Sequence, residues 1–204
     1  MYHIKPDKRS IMSLELIRKG FYELLKEEDY EILTVTQIAK RAGVGRATFY
    51  RLFDEKRDIL LYDLDQMMLQ LEERLRLYFN QHTMITELEL ICYNMEHFFA
   101  NIDLLRHLDA AHCLGLVVDK TRSIVVRRWG FLLRDRYDLD DLEWEYFTQF
   151  RSAILSSVLK VAVRRYPKDS AERIIQVLSN LFSNQTFSAA MLNKQRSDGL
   201  GESW

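Results

Sequence analysis

Only two prolines and seven glycines interrupt the 204 residues of this chain. With so few breakers, long helices joined by short connections are expected. The apolar spacing agrees. Residues 9–27 set Ile11, Leu14, Ile17, Phe21, Leu24 and Leu25 at helical intervals, which predicts one buried stripe. Residues 55–81 repeat the pattern with Leu60, Leu64, Met67, Met68, Leu71, Leu75 and Phe79, a helix long enough to bridge two domains. Further helices are expected near 84–100, 103–113, 117–137, 141–165 and 169–192, and no stretch alternates as a strand does. The expected fold class is all-α, with about nine helices. Gly20 inside the first helix costs about 1 kcal/mol relative to alanine, so a neighbouring helix is expected to approach closely there. Residues 196–204 are expected to be a disordered tail.

Between the first two long helices lies the most informative segment. Thr34 followed by Gln37 is a capping box that starts a helix of about two turns. Ile38, Ala39 and Ala42 form its small apolar face, and Gly43 ends it as a C-terminal cap. A third helix begins after a turn of roughly three residues, in "VGRATFYRLF". Phe49, Leu52 and Phe53 point to the core, which leaves Arg46, Ala47, Tyr50 and Arg51 on the other side. Two short helices, a glycine turn and a basic second helix make a helix-turn-helix. Asp54 is expected to cap the long helix that follows.

The net charge is −1, so the molecule as a whole is no polycation. Residues 1–60 carry 12 basic against 10 acidic groups, and residues 61–204 carry 17 against 20. Within residues 40–57 six basic groups (Lys40, Arg41, Arg46, Arg51, Lys56 and Arg57) face only Asp54 and Glu55. That patch suits a phosphate-binding face, with a solvated helix face as the plain alternative. No glycine-rich phosphate loop, nucleophile elbow or paired metal-ligand motif is present, so no enzyme, catalytic residue or cofactor is expected. His107 and His112 are five apart, off one helical face, so neither they nor Cys113 predict a metal site. Cys92 and Cys113 read as buried thiols. No apolar run reaches 18 residues and the start, "MYHIKPDKRS", is polar, so no membrane span is expected and the expected location is cytoplasmic.

The stretch from about 9 to 60 resembles the TetR-type (tetracycline-repressor-like) family of bacterial transcriptional regulators, and residues 34–60, "TVTQIAKRAGVGRATFYRLFDEKRDIL", carry the likeness. The resemblance rests on Thr34, Val35, Ile38, Ala39, Ala42, Gly43, Val44, Thr48, Phe49, Tyr50, Phe53 and Lys56, closed by Ile59 and Leu60, and covers about a quarter of the chain. Two positions depart from the pattern. Gly45 stands where a serine usually opens the third helix, and Asp29-Tyr30 where a glycine is common.

The resemblance implies a helix-turn-helix DNA-binding domain over 1–60 and a helical regulatory and dimerisation domain over 61–195. It implies a homodimer on a palindromic operator, joined through helices 141–165 and 169–192, and a repressor released by a small-molecule effector of unknown identity. Arg46 is the candidate for reading a base, through guanine O6 and N7, with a phosphate contact as its alternative. Ala47 lets the backbone come close or meets a thymine methyl. Tyr50 matches the family's phosphate- and base-contacting tyrosine, and Thr34, Thr36, Thr48 and Arg51 would hold phosphates. Lys56, in the first turn of the bridging helix, would face a phosphate with that helix's N–H groups. Lys8 and Arg9 could form an N-terminal arm. Candidate effector-lining groups are Tyr93, His97, Phe98, His107, Trp129 and Phe150. The alternative is a DNA-binding co-regulator that answers to a protein partner, for which the aromatics of "LEWEYFTQF" would supply a surface.

Overall fold

Asp7 starts the first helix, its carboxylate accepting the Ser10 N–H and hydroxyl at 2.9 Å each. The structure, a computed structural model, describes residues 1–82 and 86–183. Among these residues are nine α-helices and no strand: α1 (Lys8–Leu24), α2 (Val35–Arg41), α3 (Arg46–Leu52), α4 (Arg57–Gln81), α5 (Glu87–Ala100), α6 (Ile102–Ala110), α7 (Leu114–Tyr137), α8 (Asp141–Arg165) and α9 (Ala171–Ser183). A single 3₁₀ turn, Tyr30–Ile32, sits between α1 and α2. The helix expected over 169–192 is described to residue 183. Its end, the start expected at 84 and the expected tail at 196–204 lie outside the described residues.

Local signals explain most of these boundaries. Both arms of the Thr34–Gln37 capping box form, and Gly43 adopts a left-handed φ of 66° just past α2. Two further capping boxes, Thr86–Glu89 and Asp140–Glu143, open α5 and α8. Asp138, at a left-handed φ of 49°, stops α7 and turns the chain into α8. Asp54 does not cap α4. Asp58 reaches back instead, its buried carboxylate accepting the Asp54 and Glu55 N–H groups at 3.0 Å each.

One continuous core runs through the described helices. Leu14, Ile17 and Phe21 of α1 meet Phe49, Leu52 and Phe53 at one end, and Leu60, Leu64, Met67 and Leu71 of α4 carry the core to Phe98, Leu105 and Val117. Ile11 departs from the expected stripe and is exposed. The buried face of α1 runs through Ser10, Leu14, Ile17 and Phe21, and Ile11 lies about 100° from its centre. Gly20 shows the close approach its position predicted. A Cβ built there would stand 2.9 Å from the backbone nitrogen of Ala42.

The two ends are also tied by polar groups. Asp63 of α4 is buried and accepts from Arg18 Nε at 2.7 Å and the Tyr22 hydroxyl at 2.5 Å, both on α1. Burial pushes the Asp63 carboxyl above the usual carboxylate range, against the pull of these two donors. The His107 ring of α6 packs on Tyr22, with centroids 5.8 Å apart. None of the described helices is long and apolar enough to cross a membrane.

Candidate nucleic-acid interface

α3 is seven residues long, about 10 Å, a length that suits the roughly 12 Å width of a B-DNA major groove. Its two sides differ sharply. Phe49 and Leu52 are fully buried against α1 and α2, which anchors the helix. Arg46, Ala47, Tyr50 and Arg51 are all exposed and lie within about 140° of one another around the axis. Thr48, at the edge of that face, is half-buried. Gly45 is the N-cap and leaves the start of α3 without a side-chain cap. Tyr50 is 45% exposed, braced edge-on by Phe49, and the Arg46 guanidinium lies over its ring at 5.9 Å. That contact holds a cation and a phenol side by side on the outer surface.

The basic patch is smaller than the sequence suggests. Arg41 makes a bidentate pair with Glu27, at 2.8 and 2.6 Å, and Arg57 pairs with Glu55 at 2.5 Å. Lys56 turns inward. Its ammonium donates to the carbonyls of Tyr30, Glu31 and Leu33 at 2.6, 2.9 and 2.9 Å and lies 4.5 Å from the Tyr30 ring centroid. Three donors on three acceptors leave no proton for a phosphate in this arrangement. Desolvation holds this ammonium below the ordinary lysine pKa. Thr34 is likewise occupied by its capping box with Gln37, whereas Thr36 is exposed on α2. Lys40, Arg46 and Arg51 remain exposed and make no ion pair among the described residues. Lys8 and Arg9 do not form an arm but open α1.

The six residues singled out as effector-lining do not converge. Phe98 is fully buried in the core and Trp129 stacks on Phe79 with centroids 5.1 Å apart. Tyr93 stacks on Tyr78 at 4.3 Å and donates its hydroxyl to the Arg74 carbonyl. His97 is buried with Nε2 3.0 Å from the Met67 carbonyl, and desolvation pushes its pKa below the usual imidazole value. His107 borders a groove between the α1–α2 connection, α6 and α8, and Phe150 points outward on α8. A cavity does exist between α5, α7 and α8, but none of the six lines it. Its walls are mainly valine, isoleucine and leucine, which carry no mark in the sequence to separate them from ordinary core.

Comparison with known proteins agrees with the geometry. The family model described as "Bacterial regulatory proteins, tetR family" matches residues 17–62, from mid-α1 into α4. An HTH-type transcriptional regulator of Staphylococcus aureus is 25% identical over 181 residues, covering 87% of this chain and 94% of its own length. The HTH-type dhaKLM operon transcriptional activator DhaS of Lactococcus lactis is 22% identical over 191 residues, 87% of this chain and 92% of the relative. A solved structure of the dihydroxyacetone kinase operon activator DhaS shares the fold at a TM-score of 0.55 and 15% identity, covering 89% of this chain and 97% of that one. The crystal structure of a TetR transcriptional regulator from Streptococcus agalactiae does so at 0.52 and 23%, covering 83% and 92%. An outward-facing basic helix on an apolar anchor, within residues 17–62 that the family model matches, identifies that segment as a helix-turn-helix of the kind found in the TetR family of bacterial regulatory proteins.

Proposed function

We propose that the chain is a homodimeric repressor that holds a palindromic operator with one α3 in each half-site, and that a small molecule bound among the C-terminal helices releases it. In this reading residues 1–60 are the DNA-reading unit, residues 61–195 the regulatory and dimerising unit, and the protein acts in the cytoplasm. The observation that carries it is the two-sidedness of α3, buried through Phe49 and Leu52 and open through Arg46, Ala47, Tyr50 and Arg51. Arg46 reads a base. Tyr50, Arg51, Thr36 and Thr48 position the backbone, while Thr34 and Lys56 support them by holding the α1–α2 region in shape.

Dimerisation is supported by α8. Leu142, Tyr146, Phe150, Ala153, Ser157 and Val161 are all exposed and fall within about 100° of one another around the axis. Leu142 and Tyr146 are 62% and 70% exposed, a large apolar face for a lone helix in water. A two-fold axis would cover it with its own copy.

The test is to retain genomic DNA fragments on the purified protein and sequence them. A palindromic motif is expected. Arg46→Ala should relax its sequence preference by the 1–3 kcal/mol of a bidentate guanine contact, and an unchanged preference would remove Arg46 from base readout. Contacts to about 8 phosphates predict a log–log salt slope near −7. A relative named as an operon activator favours a second reading, in which the chain activates rather than represses. Transcription rising with the purified protein on the retained fragment would select it.

A further inference from the structure

The segment before α1 is tied to the turn between α3 and α4. Residues 1–3 pair with that turn as a short antiparallel bridge, Tyr2 opposite Phe53. The His3 N–H donates to the Leu52 carbonyl at 2.8 Å, and the Asp54 N–H donates to the Met1 carbonyl at 3.1 Å. Leu52 is the last residue of α3, and the final carbonyls of a helix have no partner inside it, so the first of these bonds fastens the end of α3. The Tyr2 ring seats the segment on α4, edge-on to Tyr62 with centroids 5.4 Å apart.

The Tyr2 hydroxyl extends the tie. It donates to Asp65 Oδ2 of α4 at 2.6 Å, and the other oxygen of the same carboxylate takes the Lys120 ammonium of α7 at 2.6 Å. Desolvation, reinforced by Asp65, pushes the Tyr2 phenol up to about 12, so it keeps the proton it donates. Asp65 is thus the middle of a bridge, with α7 on one side and the N-terminal segment on the other. A half-exposed ion pair contributes little to stability by itself. Its effect here is one of orientation. With Oδ1 held by the ammonium the carboxylate plane is fixed, and Oδ2 is aimed at the phenol. Without it the Asp65 side chain is free to turn, and the phenol loses a fixed acceptor.

We infer that Lys120 is a positioning residue for α3: acting through Asp65 and Tyr2, it carries the placement of α7 to the C-terminal end of the helix that faces DNA. The inference rests on the reading that α3 grips DNA, and it adds a route from the regulatory helices that runs outside the core. α4 joins the two regions through its buried stripe in any case. The bridge differs because it ends on backbone, at Leu52 and Asp54, where a lost bond frees the end of α3 without unpacking Phe49 or Leu52. An α7 displaced far enough to open the Lys120–Asp65 contact therefore loosens α3.

The test follows the His3 amide in the full-length protein by NMR, because its hydrogen exchange reports the bond to Leu52. Lys120→Met should speed that exchange about threefold where Tyr2 is present and leave it unchanged in Tyr2→Phe, where the link is already cut. Both residues are only half-buried, so neither substitution unfolds the chain. Equal acceleration in both backgrounds would make Lys120 a general support of the α4–α7 contact and overturn the inference, as would no acceleration in either. On the genomic fragment that the unaltered protein retains, Lys120→Met should weaken binding about threefold and add nothing to the loss caused by Tyr2→Phe. Exchange that quickens while DNA affinity holds would also overturn the inference, because the link would then stop short of the grip of α3. No specific DNA binding by the unaltered protein, beside the expected exchange pattern, defeats the regulator reading alone.

Discussion

Replacing Gly20 by alanine sets two effects of opposite sign against each other, and the structure decides between them. Gly20 lies inside α1, where alanine is worth about 1 kcal/mol more than glycine in helix propensity. The new methyl would stand 2.9 Å from the Ala42 nitrogen, 3.1 Å from its Cα and 3.2 Å from its Cβ. Two of these three are backbone atoms, so no rotamer change relieves the contact. Overpacking of this kind costs about 1–3 kcal/mol, and the net expectation is destabilisation by about 1 kcal/mol. Ala42 is the C-cap of α2, immediately before the α2–α3 turn, so the displacement reaches α3. Urea unfolding at fixed protein concentration measures the effect as a lower midpoint with unchanged slope. Gly115→Ala, in α7, is the control. Nothing lies within 4 Å of its Cβ, and it should raise the midpoint slightly. If Gly20→Ala also raised the midpoint, the claim that α1 and α2 need glycine at their contact would be refuted.

Lys56→Ala should cost roughly 1.5–3 kcal/mol, because it strips a charged donor from three carbonyls of the α1–α2 connection; weaker DNA binding with an unchanged urea midpoint would instead make Lys56 a phosphate contact. Tyr22→Phe should destabilise by roughly 1–3 kcal/mol, since it leaves one oxygen of the buried Asp63 without its donor, and a neutral result in thermal unfolding would mean that water replaces the hydroxyl. Stability should also fall in mild acid. The desolvated His97 has a depressed pKa in the fold, so the unfolded chain takes up its proton first, near the ordinary imidazole value of about 6.5. This stabilisation is therefore complete above that value and is lost as pH drops below it, levelling off once the folded form also protonates. His97→Gln should flatten the fall between neutral and mildly acid pH, and an equally steep fall would assign it to other groups, of which the similarly depressed His107 is the first to examine.

Much of the fold was legible because its determinants are local. The Thr34–Gln37 box, Gly43 and the apolar intervals of α1 and α4 act within one or two helical turns, and the bounds expected for the helix at 141–165 match α8 residue for residue. Gly20 was legible for a related reason: a glycine inside a good helix needs an explanation, and close packing is the common one. The outward face of α3 followed from periodicity once Phe49, Leu52 and Phe53 were assigned to the core.

What escaped the sequence depends on distant backbone. Lys56 looks like one more cation in a basic patch, yet its partners are carbonyls 23 to 26 residues away, and a carbonyl has no residue identity to read. The effector candidates are scattered for a different reason. Aromatic and histidine side chains were chosen as binders, but large rigid rings also fill cores best, and Phe98 and Trp129 do so. The cavity arises where three helices fail to close, beside an asparagine among aliphatic residues. Most helix positions, the capping boxes and the outward face of α3 were thus determined by the sequence alone, through interactions within a few residues. Which charges remain available and where a cavity opens were decided only by tertiary packing, because each depends on how surfaces far apart in the chain meet.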